Sequence, residues 1–311
     1  MPLVAPTNSP QASVIIPTKD RRDDLRKALA SLGNQTANVE AIIIDDGSSD
    51  GTLEMVRGEF PLATIHRNER SRGSCPSRNH AASLATSPII VSIDDDCILA
   101  SPRTIEQTLA EFDLPRIGAV GIPYKNVRTS QDVLQVAPAD GRVWVIPSFR
   151  GCAAAWRRSL HEQIGGQSEI LGHGVEEPEF CLRMWGAGFA VRAGRADPVD
   201  HYESPRRDSP ALLYLYGRNH ILLAWINCPF PFVLLQIPGT AVKCVLTGLR
   251  AGRIGRSFWG VVNGLIDVVR GKARRKPVPL ALWRAFRRLH RNHMEPLESV
   301  EPRAWPGGGR G

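Results

Sequence analysis

The stretch Ile89–Asp96 reads IIVSIDDD, and the fold is decided there. A short apolar run that ends in three carboxylates reads as a buried strand with its acids at the C-terminal end. Open α/β sheets place their ligands at that edge. Three adjacent acids repel one another, so a folded chain tolerates them best beside a cation or a hydroxyl-rich ligand. Asp94 and Asp96 are two apart and point the same way if the chain stays extended, which leaves Asp95 on the other face. Hard oxygen ligands suit Mg²⁺ or Mn²⁺, and such an ion keeps waters and takes further ligands from phosphates. The competing reading is a solvated acidic turn. The neighbouring segments decide between them.

Upstream, Ser13–Pro17 (SVIIP) is a first apolar strand, stopped by Pro17 and followed by the polar turn Thr18-Lys19-Asp20-Arg21. Asp23–Leu32 carries Leu25, Ala28, Leu29 and Leu32 at helical spacing. Val39–Ile44 is a second strand and runs into Asp45-Asp46-Gly47-Ser48-Ser49-Asp50-Gly51-Thr52. The two glycines there permit tight turns, and Ser49 or Asp50 can cap a helix starting near Thr52. Ala63–His66 is a third strand, Arg70–Gly73 a loop, and Pro76–Ala85 a helix bearing Arg78 and Asn79. Strands alternating with helices predict an α/β fold with a mostly parallel sheet and helices on both faces. Further on, Val143–Ile146 and Phe189–Val191 read as strands, Val175–Gly186 as a helix, and Pro198–His201 closes that region.

The chain has 311 residues, 42% hydrophobic and 23% charged, which describes a globular protein. Its six cysteines show no CxxC pair and no zinc spacing, and Met1–Ala12 lacks the basic start and apolar run of a secretory signal. These features predict a reducing cytosol with free thiols. The net charge of +8 is uneven, because Arg250–Arg291 holds twelve Lys/Arg against the single acid Asp267. A basic stretch of this kind predicts polyanionic partners, nucleic acid or anionic lipid.

Ala211–Leu249 is largely apolar, yet Pro229, Pro231 and Pro238 fall within ten residues and argue against a straight membrane span. Short helices along a membrane face, or packed on the main domain, fit better. Pro279–His293 puts Leu282, Trp283, Phe286 and Leu289 on one stripe and Arg284, Arg287, Arg288 and Arg291 largely on another. That is the pattern of an interfacial basic helix. It carries no recognised nucleic-acid motif, so lipid is preferred over RNA or DNA.

SVIIPTKDR, IIIDDGSSDGT, RGSCPSRNHA and VSIDDDC, in this order and spacing, resemble the family-two inverting glycosyltransferases with the GT-A fold. The similarity continues through FRGCAAAWRRSLHEQIGG and GVEEPEFCLRMWGAGFAV, to about residue 201. The resemblance implies a nucleotide-sugar donor (UDP-, GDP- or dTDP-linked), Mg²⁺ or Mn²⁺, and inversion at the anomeric carbon. Pro17, Thr18 and Asp20 match the first nucleotide-binding loop. Asp46 matches the acid that faces the base, with Asp45 beside it, and Arg78 matches an arginine near the nucleotide. Asp94 and Asp96 match the DxD acids, Asp94 leaning to the ribose and Asp96 to the metal, with Asp95 between them. His201 matches a further metal or phosphate contact. Trp156 is a candidate for stacking on a sugar ring, although a tryptophan is more often a core residue.

Inversion by direct displacement requires a carboxylate that takes a proton from the acceptor hydroxyl. The family places an Asp where this chain has Glu177, with Glu176 the runner-up and no basic residue adjacent in sequence. An acidic first helical turn favoured by the helix dipole is the plain alternative. The layout implied is a flexible start (residues 1–12), a catalytic domain (13–210, with a nucleotide half 13–97 and an acceptor half 98–210), a membrane-associating helical region (211–294) and a flexible tail (295–311). The expected role is transfer to a glycan or lipid-linked acceptor in cell-envelope polysaccharide or glycolipid synthesis. The expected place is the cytoplasmic side, peripheral to an anionic plasma-membrane face. Nucleotidyl transfer is the rival chemistry, but the Gly-rich, Lys-containing triphosphate loop it needs is absent near the N-terminus. A non-catalytic module that binds nucleotide sugars or nucleic acid is the other rival.

Overall fold

The computed structural model describes residues 9–203 and 209–306. Strands β1 (Ala12–Thr18), β2 (Val39–Asp45), β3 (Thr64–Arg67) and β4 (Ile89–Ile93) alternate with helices α1 (Arg22–Leu32), α2 (Thr52–Glu59) and α3 (Ser74–Leu84). β1 pairs in parallel with β2 and β4, and β2 with β3. Val14, Ile15, Ile16, Ile90, Val91 and Ile93 have no exposed surface, as continuous apolar runs in a sheet covered on both faces require. Because these strands run the same way, Thr18, Asp45 and the acids after Ile93 lie along one edge.

Next come β5 (Cys97–Leu99), α4 (Thr104–Ala110), β6 (Ile117–Gly121), β7 (Tyr124–Asn126), β8 (Val133–Leu134), β9 (Trp144–Val145) and β10 (Ala153–Arg157). After them lie α5 (Arg158–Ile164), α6 (Glu176–Gly186), β11 (Ala190–Ala193) and β12 (Val199–His201). β10 runs antiparallel between β4 and β6, with Ala153 opposite Ile93. Its alanines favour a helix by propensity. Ala153, Ala154 and Ala155 are instead fully buried in a central strand, paired on both sides. The reversed direction brings Gly151 and Cys152 to the edge where β4 delivers its acids. A second sheet, ordered β5-β12-β7-β8, sets His201 opposite both Cys97 and Asn126.

The C-terminal part begins with α7 (Ser209–Asn227), α8 (Val233–Arg250) and α9 (Ile254–Val269). Pro229 and Pro231 fall in the turn between α7 and α8, and Pro238 lies inside α8. α7 and α9 pack backbone to backbone: a Cβ on Gly217 would stand 2.6 Å from the Ser257 carbonyl oxygen, and one on Gly260 would collide with that of Tyr214. Arg218 on α7 and Asp267 on α9 tie the pair, 2.8 Å apart. Among the described residues, no helix is long and apolar enough to cross a membrane.

Two expectations are corrected here. The stripe of α10 (Leu280–Asn292) does not face lipid, because Leu282, Trp283, Phe286 and Leu289 are buried in the same core as Phe180, Met184 and Trp185 of α6. Nor is residue 295 onward a flexible tail. β13 (Glu295–Pro296) pairs with β9 and completes a nine-stranded sheet, β13-β9-β11-β6-β10-β4-β1-β2-β3. α11 (Leu297–Ala304) follows it, and Trp305 stacks on Trp185 at 5.2 Å and donates its indole N–H to the Trp185 carbonyl. Residues 307–311 of that tail, and residues 1–8 of the expected flexible start, lie outside the described residues; β1 begins at Ala12. All six cysteines are buried free thiols.

Candidate active site

A cleft of about 750 Å³ runs along the C-terminal edge of the parallel strands. Pro17, Thr18, Asp46, Arg78, Asp94, Asp95, Asp96, Glu176, Glu177 and His201 all line it, although they come from both sheets and two helices. Asp20, Asp45 and Trp156 do not.

Asp46 directly follows β2 and accepts four hydrogen bonds, from Asn68 Nδ2, Ser71 Oγ and the backbone N–H groups of Arg72 and Gly73. Burial pushes its carboxyl up, but these donors outweigh burial and hold it below the usual carboxylate range. Its structural work is to pin the loop ahead of α3 against the sheet edge. Asp45 turns away from the cleft and closes a turn by accepting the Ser48 N–H at 2.8 Å. Asp20, in the left-handed region at φ 51°, accepts from the backbone and hydroxyl of Ser49. It therefore joins the two loops from outside rather than reaching a ligand.

The three acids after β4 are not extended. Cys97 N–H donates to the Asp94 carbonyl at 3.1 Å, so Asp94–Cys97 is a turn and strand alternation does not govern it. Asp95 and Asp96 instead share Arg21, whose Nη1 lies 3.0 Å and 2.6 Å from them. Asp95 also accepts the Thr18 hydroxyl at 2.8 Å, and burial, opposed by Arg21, pushes its carboxyl up to about 7. Asp94 is turned to Arg78, 2.6 Å away. Of the three residues expected at a metal, Asp96, Asp94 and His201, the structure groups Asp96 with His201 and turns Asp94 to Arg78.

Asp96 Oδ1 and His201 Nε2 are 3.2 Å apart, both buried, and neither makes a hydrogen bond. Asn126 Oδ1 can only accept, so at 2.8 Å it takes the proton of His201 Nδ1, and Nε2 faces Asp96 as an acceptor when the ring is neutral and as a donor in the protonated ring that Asp96 favours against burial. With the ring neutral the two acceptors suit a shared cation in place of that proton, and about 3 Å is the spacing of adjacent ligands around a small divalent ion. The residues present therefore fit a metal of the Mg²⁺ or Mn²⁺ type, and Asn126 supplies the orienting outer contact such a histidine needs. Cys97 belongs to the same cluster, but its thiol donates to the Cys152 carbonyl and burial holds it protonated. Burial raises Asp96, yet without a metal the protonated His201 ring and Arg21 prevail and take it down to about 2.

Across the cleft, α6 opens with Glu176 and Glu177. Glu177 Oε1 accepts the Gly151 N–H at 3.2 Å. A Cβ at residue 151 would stand 2.5 Å from that oxygen and 3.4 Å from Arg78 Nη2, so glycine is needed for the approach. Burial, reinforced by the negative charge of Glu176, raises the Glu177 carboxyl above the usual range. Glu176 goes the other way: His173, 3.3 Å from it, overcomes burial and lowers it. No base adjoins Glu177 in sequence, but in space the Arg78 guanidinium acts on both acids.

Trp156 is corrected to a core residue. It is fully buried, stacked between Phe149 and His161 at 5.7 and 6.1 Å, with Phe180 edge-on. Its strand direction points it into the sheet interior rather than the cleft. Sequence reasoning missed several cleft residues: Arg21, seen only as part of a polar turn, and Tyr124, Asn126 and Arg150, for which no local pattern exists. Arg21 alone carried a signal, as a basic residue directly after a strand-end turn.

A sequence model described as Glycosyl transferase family 2 matches residues 13–168, half of the chain. The chain belongs to glycosyl transferase family 2. The matched segment covers the Asp46, Arg78 and Asp94–Asp96 clusters and stops short of α6, so Glu176 and Glu177 lie beyond it. An uncharacterized glycosyltransferase of Haemophilus influenzae is 27% identical over 183 residues, 55% of this chain and 61% of that protein. The succinoglycan biosynthesis protein ExoU of Rhizobium meliloti is 34% identical over 100 residues, 31% of this chain and 28% of that one. The chain thus spans less than two thirds of the length of these curated relatives. The mannosyltransferase PcManGT from Pyrobaculum calidifontis, solved with GDP-Man and Mn²⁺, superposes with a TM-score of 0.59 at 21% identity. That superposition takes in 98% of this chain and 90% of the other, and shows the GT-A fold in common.

Proposed function

We propose that this family-2 member is an inverting glycosyltransferase that moves a sugar from a nucleoside diphosphate onto a hydroxyl of a glycan or lipid-linked acceptor. The observation that carries the reading is the placement of Glu177, a carboxylate of raised basicity, in one cleft with the buried Asp96–His201 pair. In this scheme the acceptor oxygen bonds to the anomeric carbon as its proton passes to Glu177, and the bond to the diphosphate oxygen breaks on the opposite face. Asp96 and His201 would hold a divalent ion, which supplies positive charge to the departing diphosphate. Arg78, kept charged by Asp94 and the two glutamates against the pull of burial, places a guanidinium beside the base. Glu176 is the weaker candidate for the base because His173 already engages it. The mannosyl and succinoglycan relatives support a role in glycan assembly, and the Mn²⁺ in PcManGT supports metal assistance.

UDP-, GDP- and dTDP-sugars should be screened for Mn²⁺-dependent thermal stabilisation, and the product's anomeric configuration read by NMR with the stabilising donor. The expected result is stabilisation by one base class, lost in Asp96→Ala, and an inverted product. A retained configuration, or Mn²⁺-dependent stabilisation unchanged in Asp96→Ala, would overturn the scheme.

A further inference from the structure

We infer that the outer faces of α8 and α9 form a docking surface for an anionic lipid bilayer, with the two helices lying along the interface. On α9, Phe258, Leu265, Ile266 and Val269 recur at helical spacing beside Trp259, and all five are exposed, Val269 at 87% and Trp259 at 60%. On α8, Leu234, Leu235, Val242, Leu246 and Leu249 do the same, with Leu235 at 77%. The opposite faces of both helices are spent on the helical pack, where Cys244, Gly248, Ser257, Gly260 and Gly264 are buried. A water-facing apolar surface of this size marks an interaction site rather than ordinary surface.

Charge selects the occupant. From residue 209 to 294 the only acid is Asp267, and it is turned inward onto Arg218 and Lys272. The apolar faces are bordered by exposed Lys243, Arg250, Arg253, Arg256 and Arg270. A second copy seated face to face would bring two basic rims together with no exposed acid to answer them. An anionic bilayer answers both features: acyl chains take the apolar stripe, and headgroup phosphates take the rim. A shallow recess at the turn between the helices, lined by Tyr214, Arg253, Arg256 and Trp259, pairs guanidinium groups with aromatic rings at headgroup level. The surface also adjoins the cleft, since Ala211 and Leu212 of α7 line the cleft and Tyr214 lines the recess. On the glycosyl-transfer reading, a lipid-anchored acceptor held at this surface would present its head to Glu177.

The test is sedimentation of the full chain with vesicles of phosphatidylcholine, with and without phosphatidylglycerol, across salt concentrations. The expected result is binding to the anionic vesicles that weakens as salt rises. The Trp259→Gln/Val269→Gln double variant should lose about tenfold or more in vesicle affinity, at unchanged melting temperature and donor-induced stabilisation. Arg287→Gln/Arg291→Gln on α10 should lose only a few-fold. Equal vesicle binding by the α9 variant, or greater loss in the α10 variant, overturns the inference. A dimer in light scattering that the α9 variant dissociates, without vesicle binding by the parent chain, assigns the face to a second copy instead. Absence of donor-induced stabilisation in the parent chain, with vesicle binding intact, would sink the transferase reading and leave the docking surface standing.

Discussion

The cleft and the α8–α9 hairpin are both incomplete, in opposite ways. The cleft keeps buried polar atoms without hydrogen bonds, at Asp96 Oδ1, His201 Nε2 and Glu176 Oε2. The hairpin keeps large apolar side chains in water. Each defect costs free energy in the isolated chain, and each names the phase that would relieve it: a charged ligand in the first case, hydrocarbon in the second. Helix α10 is the control, because its amphipathic pattern rivals that of α9 and its apolar stripe is already covered by α6 and the sheet. An amphipathic helix announces that one face will be covered. It does not say by what.

The largest expected effect separates the two regions functionally. Glu177→Gln should lower single-turnover transfer by about 10²–10⁴-fold while vesicle and donor binding stay as they are. The base works only when ionised, and its carboxyl is raised in the folded protein, so parent activity should fall on acidification at a higher pH than an ordinary carboxylate would give. That acidic limb should vanish in Glu177→Gln. A variant that keeps both turnover and limb places the base elsewhere; loss of vesicle binding would show that cleft and hairpin are not independent.

Next in size is the contrast between the two tryptophans. Trp283 on α10 is 7% exposed, and Trp283→Ala should cost about 3–5 kcal/mol in denaturant unfolding. Trp259 on α9 is 60% exposed, and Trp259→Ala without lipid should change stability by no more than about 0.5 kcal/mol. Similar costs for the two would erase the distinction between a covered and an uncovered stripe.

The smallest effect concerns Asp46, where the cleft wall is complete. Its carboxyl is lowered on folding, so its stabilising contribution is fully present above the unfolded value of about 3.9 and is lost as pH falls through the folded one. Asp46→Asn should cost about 1–3 kcal/mol at neutral pH and flatten the loss of stability below about pH 4. An unchanged acid slope would show that its four donors are not what holds the loop.

Much of the first half was legible because its signals are local. An apolar run bounded by a polar turn is a buried strand wherever it occurs, and parallel strands carry their following loops to one edge. Ile89–Asp96, Val39–Asp46 and Ser13–Thr18 therefore located both the sheet and the site. Ala153–Arg157 was not legible, since alanine-rich sequence favours a helix and only a slot between β4 and β6 makes it a strand. Trp156 followed from the same slot. Asn126 had no signal, because its role depends on β7 lying beside β12.

The sequence by itself determined the strand–helix alternation, the acidic strand ends, the placement of the positive charge in the C-terminal part, and Glu177 at the start of α6. Each rests on short-range periodicity, which the backbone geometry of strands and helices enforces without reference to distant residues. Only the tertiary structure decided which acids share a partner, that Asp94 turns to Arg78, and that α8 and α9, not α10, keep an apolar face open. Those outcomes depend on turns and packing between residues far apart in the chain, where one register or one covering helix reassigns a side chain from solvent to core.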